Sequence, residues 1–286
     1  MLKVCIYGVG AIGGFIGTRL ALGGECDVSA VARGATLAAL QAHGLRLQQG
    51  GAQLSAPVRA SDDPAKLGVQ DLVLIAVKSP ALAEVAERIA PLIGPHTMLL
   101  PAMNGVPWWF GAGAPALGDA PLHSIDAGGR IASALPLAAV IGCVVHASTS
   151  TSAPGQVQHQ RGQGLILGEP LGGVSPRVQR LVGLLARAFC TAAMAEAAAV
   201  GARIGCQIDQ TPQDRHQITR KLGAFKTSML QDVLAGRLIE LDALVTVVRE
   251  IAQRVGVATP FIDALLGLAR LHGQSHGLYP ALDSTP

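Results

Sequence analysis

A chain of 286 residues, half of them hydrophobic and 14% charged, is long enough for one large or two ordinary cored domains and too apolar to be disordered. The net charge is only +3, its basic residues are spread out, and 3% of residues are aromatic, so the basic stripe and stacking platform of a nucleic-acid binder are missing. Cys5, Cys26, Cys143, Cys190 and Cys206 are scattered, with no CxxC or Cys/His cluster; they read as buried free thiols in a reducing compartment rather than metal ligands.

Lys3 and the apolar run 4–17 imitate a signal peptide, but the run holds Gly8, Gly10, Gly13, Gly14 and Gly17, which suit a strand–turn–helix better. No apolar run free of proline and charge reaches the length of a bilayer span. The expectation is a soluble cytoplasmic protein with no membrane or nucleic-acid partner.

Leu2–Tyr7 is a short continuous apolar run, as in a strand buried on both faces, and Ala11–Leu22 follows as a helix. Residues 27–32 read as a second strand and 35–42 as a helix. Residues 45–47 and 53–58 form a hairpin around Gly50-Gly51. The run 71–77 is the clearest buried strand, 80–93 has helical spacing, and 97–100 begins another strand. Such a βαβ series predicts a mostly parallel, doubly wound sheet. Residues 138–146, 156–160 and 165–167 look like strands extending that sheet in antiparallel fashion. Helices are expected at 177–189, 192–204, 216–234, 240–255 and 260–271, the last capped by Thr259 before Pro260. The tail from His272 is expected to be poorly ordered. The fold class is therefore α/β: a Rossmann-type domain over residues 1–190, then an all-helical substrate or dimerisation domain over 191–286.

Gly8-Val9-Gly10-Ala11-Ile12-Gly13 is a GxGxxG pattern between an apolar strand and a helix, the context in which it signals dinucleotide binding. The first glycine permits the tight turn, the second lets the backbone approach a pyrophosphate, and the third allows close helix–strand packing. The second strand ends Val31-Ala32-Arg33 with no carboxylate for a ribose 2′-hydroxyl. Arg33 can instead pair with a 2′-phosphate, so NADP(H) is favoured over NAD.

Further landmarks follow in order: Val77-Lys78-Ser79, Asn104-Gly105-Val106, His146-Ala147, Pro154-Gly155, the segment Lys226-Thr227-Ser228-Met229-Leu230-Gln231-Asp232, Gly236-Arg237, Glu240-Leu241-Asp242 and Val257-Ala258-Thr259-Pro260. Together they resemble the ketopantoate reductase (2-dehydropantoate 2-reductase) family over nearly the whole chain, most specifically in the SMLQD segment. The resemblance implies NADPH-dependent reduction of a 2-keto acid to a 2-hydroxy acid in the cleft between the domains. It implies that Lys78 and Asn104 lie along the nicotinamide ribose and the substrate, and that the Ala147 backbone contacts the cofactor. It further implies that Ser228 bonds the substrate carboxylate and that Glu240 contacts the cofactor ribose and helps close the cleft.

Each position also has a plainer reading. Lys78 can snorkel to water, Asn104-Gly105 is good turn chemistry, Ser228 can bond its own helix, and Glu240 can sit at a helix start for the dipole. Asp232 and Asp242 read as structural, and Trp108-Trp109-Phe110 as either a cleft wall or local core. One family element is absent: a stretch resembling W-x-K-L that carries the proton-donating lysine. It should fall between the expected helices at 177–189 and 192–204. Lys78 and Lys226 are the nearest substitutes. The alternative reading is a non-catalytic NADP-binding protein, and a third is a related dehydrogenase of sugar acids or β-hydroxy acids. A homodimer through the apolar helical domain is expected.

Overall fold

The computed structural model describes residues 1–114, 121–173, 175–221 and 227–280, and divides into two compact units, Met1–Ala188 and Phe189–Pro286. In the first unit, β1 (Leu2–Tyr7), β2 (Cys26–Val31), β5 (Arg59–Ser61), β6 (Leu72–Ile75) and β7 (Met98–Pro101) form a parallel sheet in the order β5-β2-β1-β6-β7. Its central strands are buried on both faces, from Val4 to Tyr7 and from Leu72 to Ile75, which is why they read as unbroken apolar runs. The order reverses at β1, and in open α/β sheets ligands bind beside the carboxyl ends of the strands at that switch point.

The antiparallel extension expected after residue 138 is not what forms. Residues Leu137–Ala139 make a 3₁₀ turn, and β8 (Gly142–Ala153) then lies parallel to β7 through two isolated bridges, Leu99↔Val140 and Ala102↔Cys143. β8 pairs antiparallel with β9 (Gln156–Gly168), so the two runs at 156–160 and 165–167 are one strand. β9 in turn pairs parallel with β3 (Leu45–Gln49), whose hairpin partner is β4 (Ala52–Ala56). The result is a second sheet, β4-β3-β9-β8. Helix α1 (Ala11–Leu22) packs against both sheets: a Cβ on Gly14 would stand 2.5 Å from Val157 of β9, and one on Gly17 would stand 3.0 Å from Ile6 of β1. The small residues of α1 thus set its depth, and with it the position of the glycine turn. Helices α2 (Gly34–His43), α3 (Leu82–Arg88) and α4 (Arg130–Ala134) complete the unit.

The helices expected at 177–189 and 192–204 are fused into α5 (Pro176–Arg203), 28 residues long. By length and composition α5 is long and apolar enough to cross a bilayer, but Arg187 and Glu196 interrupt it, so the expectation that no uncharged run reaches that length stands. It buries Leu181, Leu184, Leu185 and Val200. The helix expected over 216–234 is instead α6 (Pro212–Lys221) and α7 (Ser228–Leu234); Lys226 falls outside the described residues. A π-helical turn, Asp242–Thr246, leads into α8 (Val247–Arg254). Helix α9 (Pro260–Ser275) outruns its predicted end, and Leu278 beyond it is buried, so the chain is ordered well past His272. Thr259 precedes α9 but its side chain does not cap it. The cap comes from Glu196 of α5, whose carboxylate accepts from the amides of Phe261 and Ile262 at 2.9 to 3.0 Å. Cys5, Cys26 and Cys143 are buried free thiols, whereas Cys206 is exposed. Burial pushes the thiol pKa of Cys5 and Cys143 up to about 12.

Candidate active site

The glycine turn has the shape its sequence requires. Gly8 has φ +95°, and a Cβ on it would lie 2.6 Å from Val77 and 3.2 Å from the Val77 amide nitrogen. A Cβ on Gly13 would lie 2.1 Å from the Gly8 carbonyl oxygen. Nothing lies within 4 Å of the Cβ direction at Gly10. Two glycines are therefore forced by packing, and the third leaves open space where a bulky anion can approach the backbone. Gly10 is the N-cap of α1, no side chain caps that end, and its first turn holds no acidic residue. The amides of this turn, including those of Ala11, Ile12 and Gly13, keep the positive end of the helix for an incoming anion.

A cleft of about 300 Å³ runs along the carboxyl ends of β1 and β2, where Gly8, Val9, Gly10, Arg33 and Val77 share one wall system with Tyr7. Arg33 is the N-cap of α2, and its guanidinium is paired with Glu84 of α3 while its side chain remains 62% exposed. An exposed pair of this kind is worth roughly 0–1 kcal/mol, so Arg33 can exchange Glu84 for a stronger anion. The residues fit the pyrophosphate of a dinucleotide: open glycine and uncapped helix share one cleft with an arginine. Glu84, Arg88 and Thr36 also line it and were not read from sequence. They arrive from helix positions with no local motif to mark them.

Lys78 follows β6, is exposed, and opens a short 3₁₀ turn over Ser79–Ala81. Asn104 follows β7. Its Nδ2 donates to the Val145 carbonyl and its Oδ1 accepts from the Val145 amide, both at 2.9 Å, so this side chain ties the loop after β7 to β8. Ala147 sits where the β8–β9 ladder jumps from His146↔Gly164 to Ser148↔Arg161, an irregularity that leaves it outside the pairing. Bulged backbone of this kind is common beside active sites. The glycine turn, Arg33, Lys78, Asn104 and Ala147 all belong to the first unit. Ser228 and Glu240 belong to the second, where both are exposed. Ser228 is the first residue of α7, behind the N-cap Thr227, whose hydroxyl accepts from the Leu230 amide at 3.3 Å. Glu240 immediately precedes the helical turn that starts α8, and its carbonyl accepts from Leu244.

A second, larger pocket of about 790 Å³ lies at the carboxyl end of β7, against α3, α4 and the β8–β9 hairpin. Trp108 and Trp109 both line it, packed edge to face with centroids 4.4 Å apart. Trp108 is also part of the core, so the local-core reading of that tryptophan holds. Asp232 and Asp242 are structural as read: Asp232 pairs with Arg237, and Asp242 accepts from Tyr279 and Thr246.

Two adjacent family matches cover almost everything described above. Residues 4–172 match the family described as Ketopantoate reductase PanE/ApbA, and residues 177–273 match its C-terminal counterpart. The chain belongs to the ketopantoate reductase family. A 2-dehydropantoate 2-reductase of Mesorhizobium japonicum is 37% identical, with 97% of this chain and 100% of the relative covered. That alignment extends over 326 residues, more than the 286 of this chain, so the relative carries residues with no counterpart in it. A crystal structure from Ralstonia solanacearum MolK2, assigned as a ketopantoate reductase, is 47% identical with a TM-score of 0.64, covering 98% of this chain and 100% of that one. The 2-dehydropantoate 2-reductase of Methylococcus capsulatus, 23% identical over 98% of this chain and 99% of its own, shares the fold with a TM-score of 0.52. Membership makes the chain an oxidoreductase of the class acting on 2-keto acids, built on a nicotinamide-dinucleotide dehydrogenase fold.

Proposed function

We propose that the protein binds NADP(H) and reduces a 2-keto acid to the 2-hydroxy acid. The observation that carries the cofactor choice is Arg33 in the glycine-turn cleft, where the carboxyl end of β2, after Asp27, supplies no carboxylate. When bound, the nicotinamide supplies hydride to the carbonyl carbon. The turn at Gly8, Gly10 and Gly13 holds the pyrophosphate against the α1 amides, and Arg33 leaves Glu84 to pair with the 2′-phosphate. Lys78 and the Ala147 backbone flank the ribose. Asn104 fixes β8 against the loop after β7 and retains one N–H and one lone pair for ligand. Ser228 takes the substrate carboxylate, and Glu240 takes a cofactor ribose hydroxyl.

Proton delivery is where the chain departs from its family. General acid catalysis is worth about 10²- to 10⁴-fold in rate. The stretch that resembles W-x-K-L is absent, and α5 runs without a break across the place where it would be inserted. That continuity favours a second reading, an NADP-binding protein with little turnover. The unit with Ser228 and Glu240 also exposes Leu234, Leu238, Leu268 and Leu271, each more than half exposed, which supports a homodimer.

The deciding experiment titrates wild type and Arg33→Ala with NADPH and NADH, then follows NADPH oxidation with ketopantoate and several other 2-keto acids. Loss of a charge-assisted contact should weaken NADPH by about 10- to 100-fold and leave NADH unchanged. Equal weakening of both cofactors would remove Arg33 from the phosphate site. Tight NADPH binding without oxidation would establish the second reading.

A further inference from the structure

The 790 Å³ pocket beyond the cofactor cleft has an unusual balance of charge. Several ionisable or amide side chains line it, and four of them already have partners. Arg130 pairs with Glu87, and Glu169 pairs with Arg177. The Asp126 carboxylate accepts from the amides of Ile131 and Ala132 at 2.9 Å, and Asn104 is held by Val145. Ser79, His123 and Ser124 are exposed at the mouth. The remaining wall is apolar, with Leu82, Val106, Trp109, Val144 and Ile166 among its residues. Val144 and Ile166 are cross-strand partners that stay 46% and 59% exposed, an unfilled apolar pair on the pocket wall.

The position of this pocket gives it a use. Val77 lines the dinucleotide cleft, and Ser79, two residues on, lines the larger pocket. Asn104 lines it too. A substrate whose carbonyl is held at the Lys78–Asn104 edge therefore has this pocket beside it for the rest of its structure. A hydroxylated or charged tail entering an apolar wall leaves polar groups unpartnered, whereas an apolar tail does not. Each methylene that such a pocket accepts is worth about 10-fold or more in discrimination.

We infer that the pocket lined by Trp109, Val144 and Ile166 is the side-chain site for 2-keto acids bearing bulky apolar tails, selecting them over small or hydroxylated ones. The inference rests on the reductase reading for where the carbonyl lies, and its test is separable from that reading. The chain has two tryptophans, both on the wall of this pocket, so their fluorescence reports its occupancy without turnover. The NADPH-loaded protein is titrated with 4-methyl-2-oxopentanoate, pyruvate and ketopantoate, exciting tryptophan selectively and repeating the ranking by calorimetry.

The branched apolar acid should saturate at a concentration at least tenfold below the other two. Val144→Glu, at a half-exposed strand position, should erase that advantage. Gly142→Leu should do so independently by filling the pocket, because a Cβ there would stand 3.4 Å from the Gly168 carbonyl oxygen and 3.7 Å from the Trp109 ring, both ordinary contacts. Equal or reversed ranking, no response to any acid, or a ranking untouched by both variants overturns the inference. Oxidation of NADPH by ketopantoate alongside a flat tryptophan ranking would sink the pocket and keep the reductase. The expected ranking without oxidation of NADPH by any acid would keep the pocket and sink the reductase.

Discussion

Asn104 shows how a single side chain can serve a site by holding its frame. From sequence it reads as a ligand contact or a turn residue; in the structure both ends of its amide bond the Val145 backbone, leaving one N–H and one lone pair. Nothing in the local sequence points to a partner 41 positions away. Asn104→Ala removes two hydrogen bonds and leaves partly buried backbone groups unsatisfied, a loss of about 1–3 kcal/mol. Denaturant unfolding should show that loss even without cofactor, and an unchanged midpoint would return Asn104 to a purely ligand-facing role. Glu169 makes a similar case. The Arg177 guanidinium beside it holds its carboxyl well below the ordinary range, at about 2, with Ser175 assisting. Because this folded pKa is depressed, the pair's contribution is fully present above the unfolded value near 4.5 and is lost as pH falls toward 2. Glu169→Gln should therefore flatten the decline in stability between pH 5 and 2. A variant with the wild-type slope in that window would show that the pair is not coupled to folding. Arg177 also donates to the carbonyls of Ala138 and Val140, so the same guanidinium secures the entry to β8.

At the scale of elements, legibility follows periodicity. β1, β6 and the glycine turn were readable because burial on both faces leaves continuous apolar runs, and because the turn's chemistry is local. The β8–β9 hairpin was misplaced because a strand's neighbour is set by tertiary packing: its exposed alternation fits an extension of the first sheet as well as a second sheet. The cap of α9 was misassigned for a related reason, since Glu196 lies 65 positions before Phe261. The end of the chain was hidden by composition. His272–Leu278 is rich in glycine and polar residues, yet Leu278 accepts from the Ile239 amide at 2.9 Å and the Tyr279 hydroxyl donates to Asp242 at 2.7 Å. This strap fixes residues 239–242, the segment that presents Glu240. The Tyr279 hydroxyl is the main reason that the Asp242 carboxyl is held below its ordinary range. Tyr279→Phe should raise the pH at which Asp242 titrates, read by carbon-13 NMR of the carboxyl. A titration identical to wild type would show that the strap does not grip this segment in solution.

For the whole molecule, the two units differ in how completely they cover themselves. The first buries a core spanning α3, β1, β6, β7 and Trp108. The second exposes large side chains on several helices: Leu230 and Leu234 of α7, Val247 of α8, and Leu265, Leu268 and Leu271 of α9. Scattered single leucines are ordinary on a surface, whereas a contiguous group of them is the kind of surface a partner covers. A second copy of the chain offers the same apolar surface, and a self-complementary interface closes in one step to a dimer. Light scattering at micromolar concentration should therefore return about twice the 29.2 kDa chain mass. Leu268→Glu with Leu271→Glu, both on the exposed face of α9, should return the monomer with NADPH binding by the first unit intact. A wild-type monomer would mean that the exposed leucines are tolerated as they stand. The homodimer would then fall, leaving the cofactor assignment untouched.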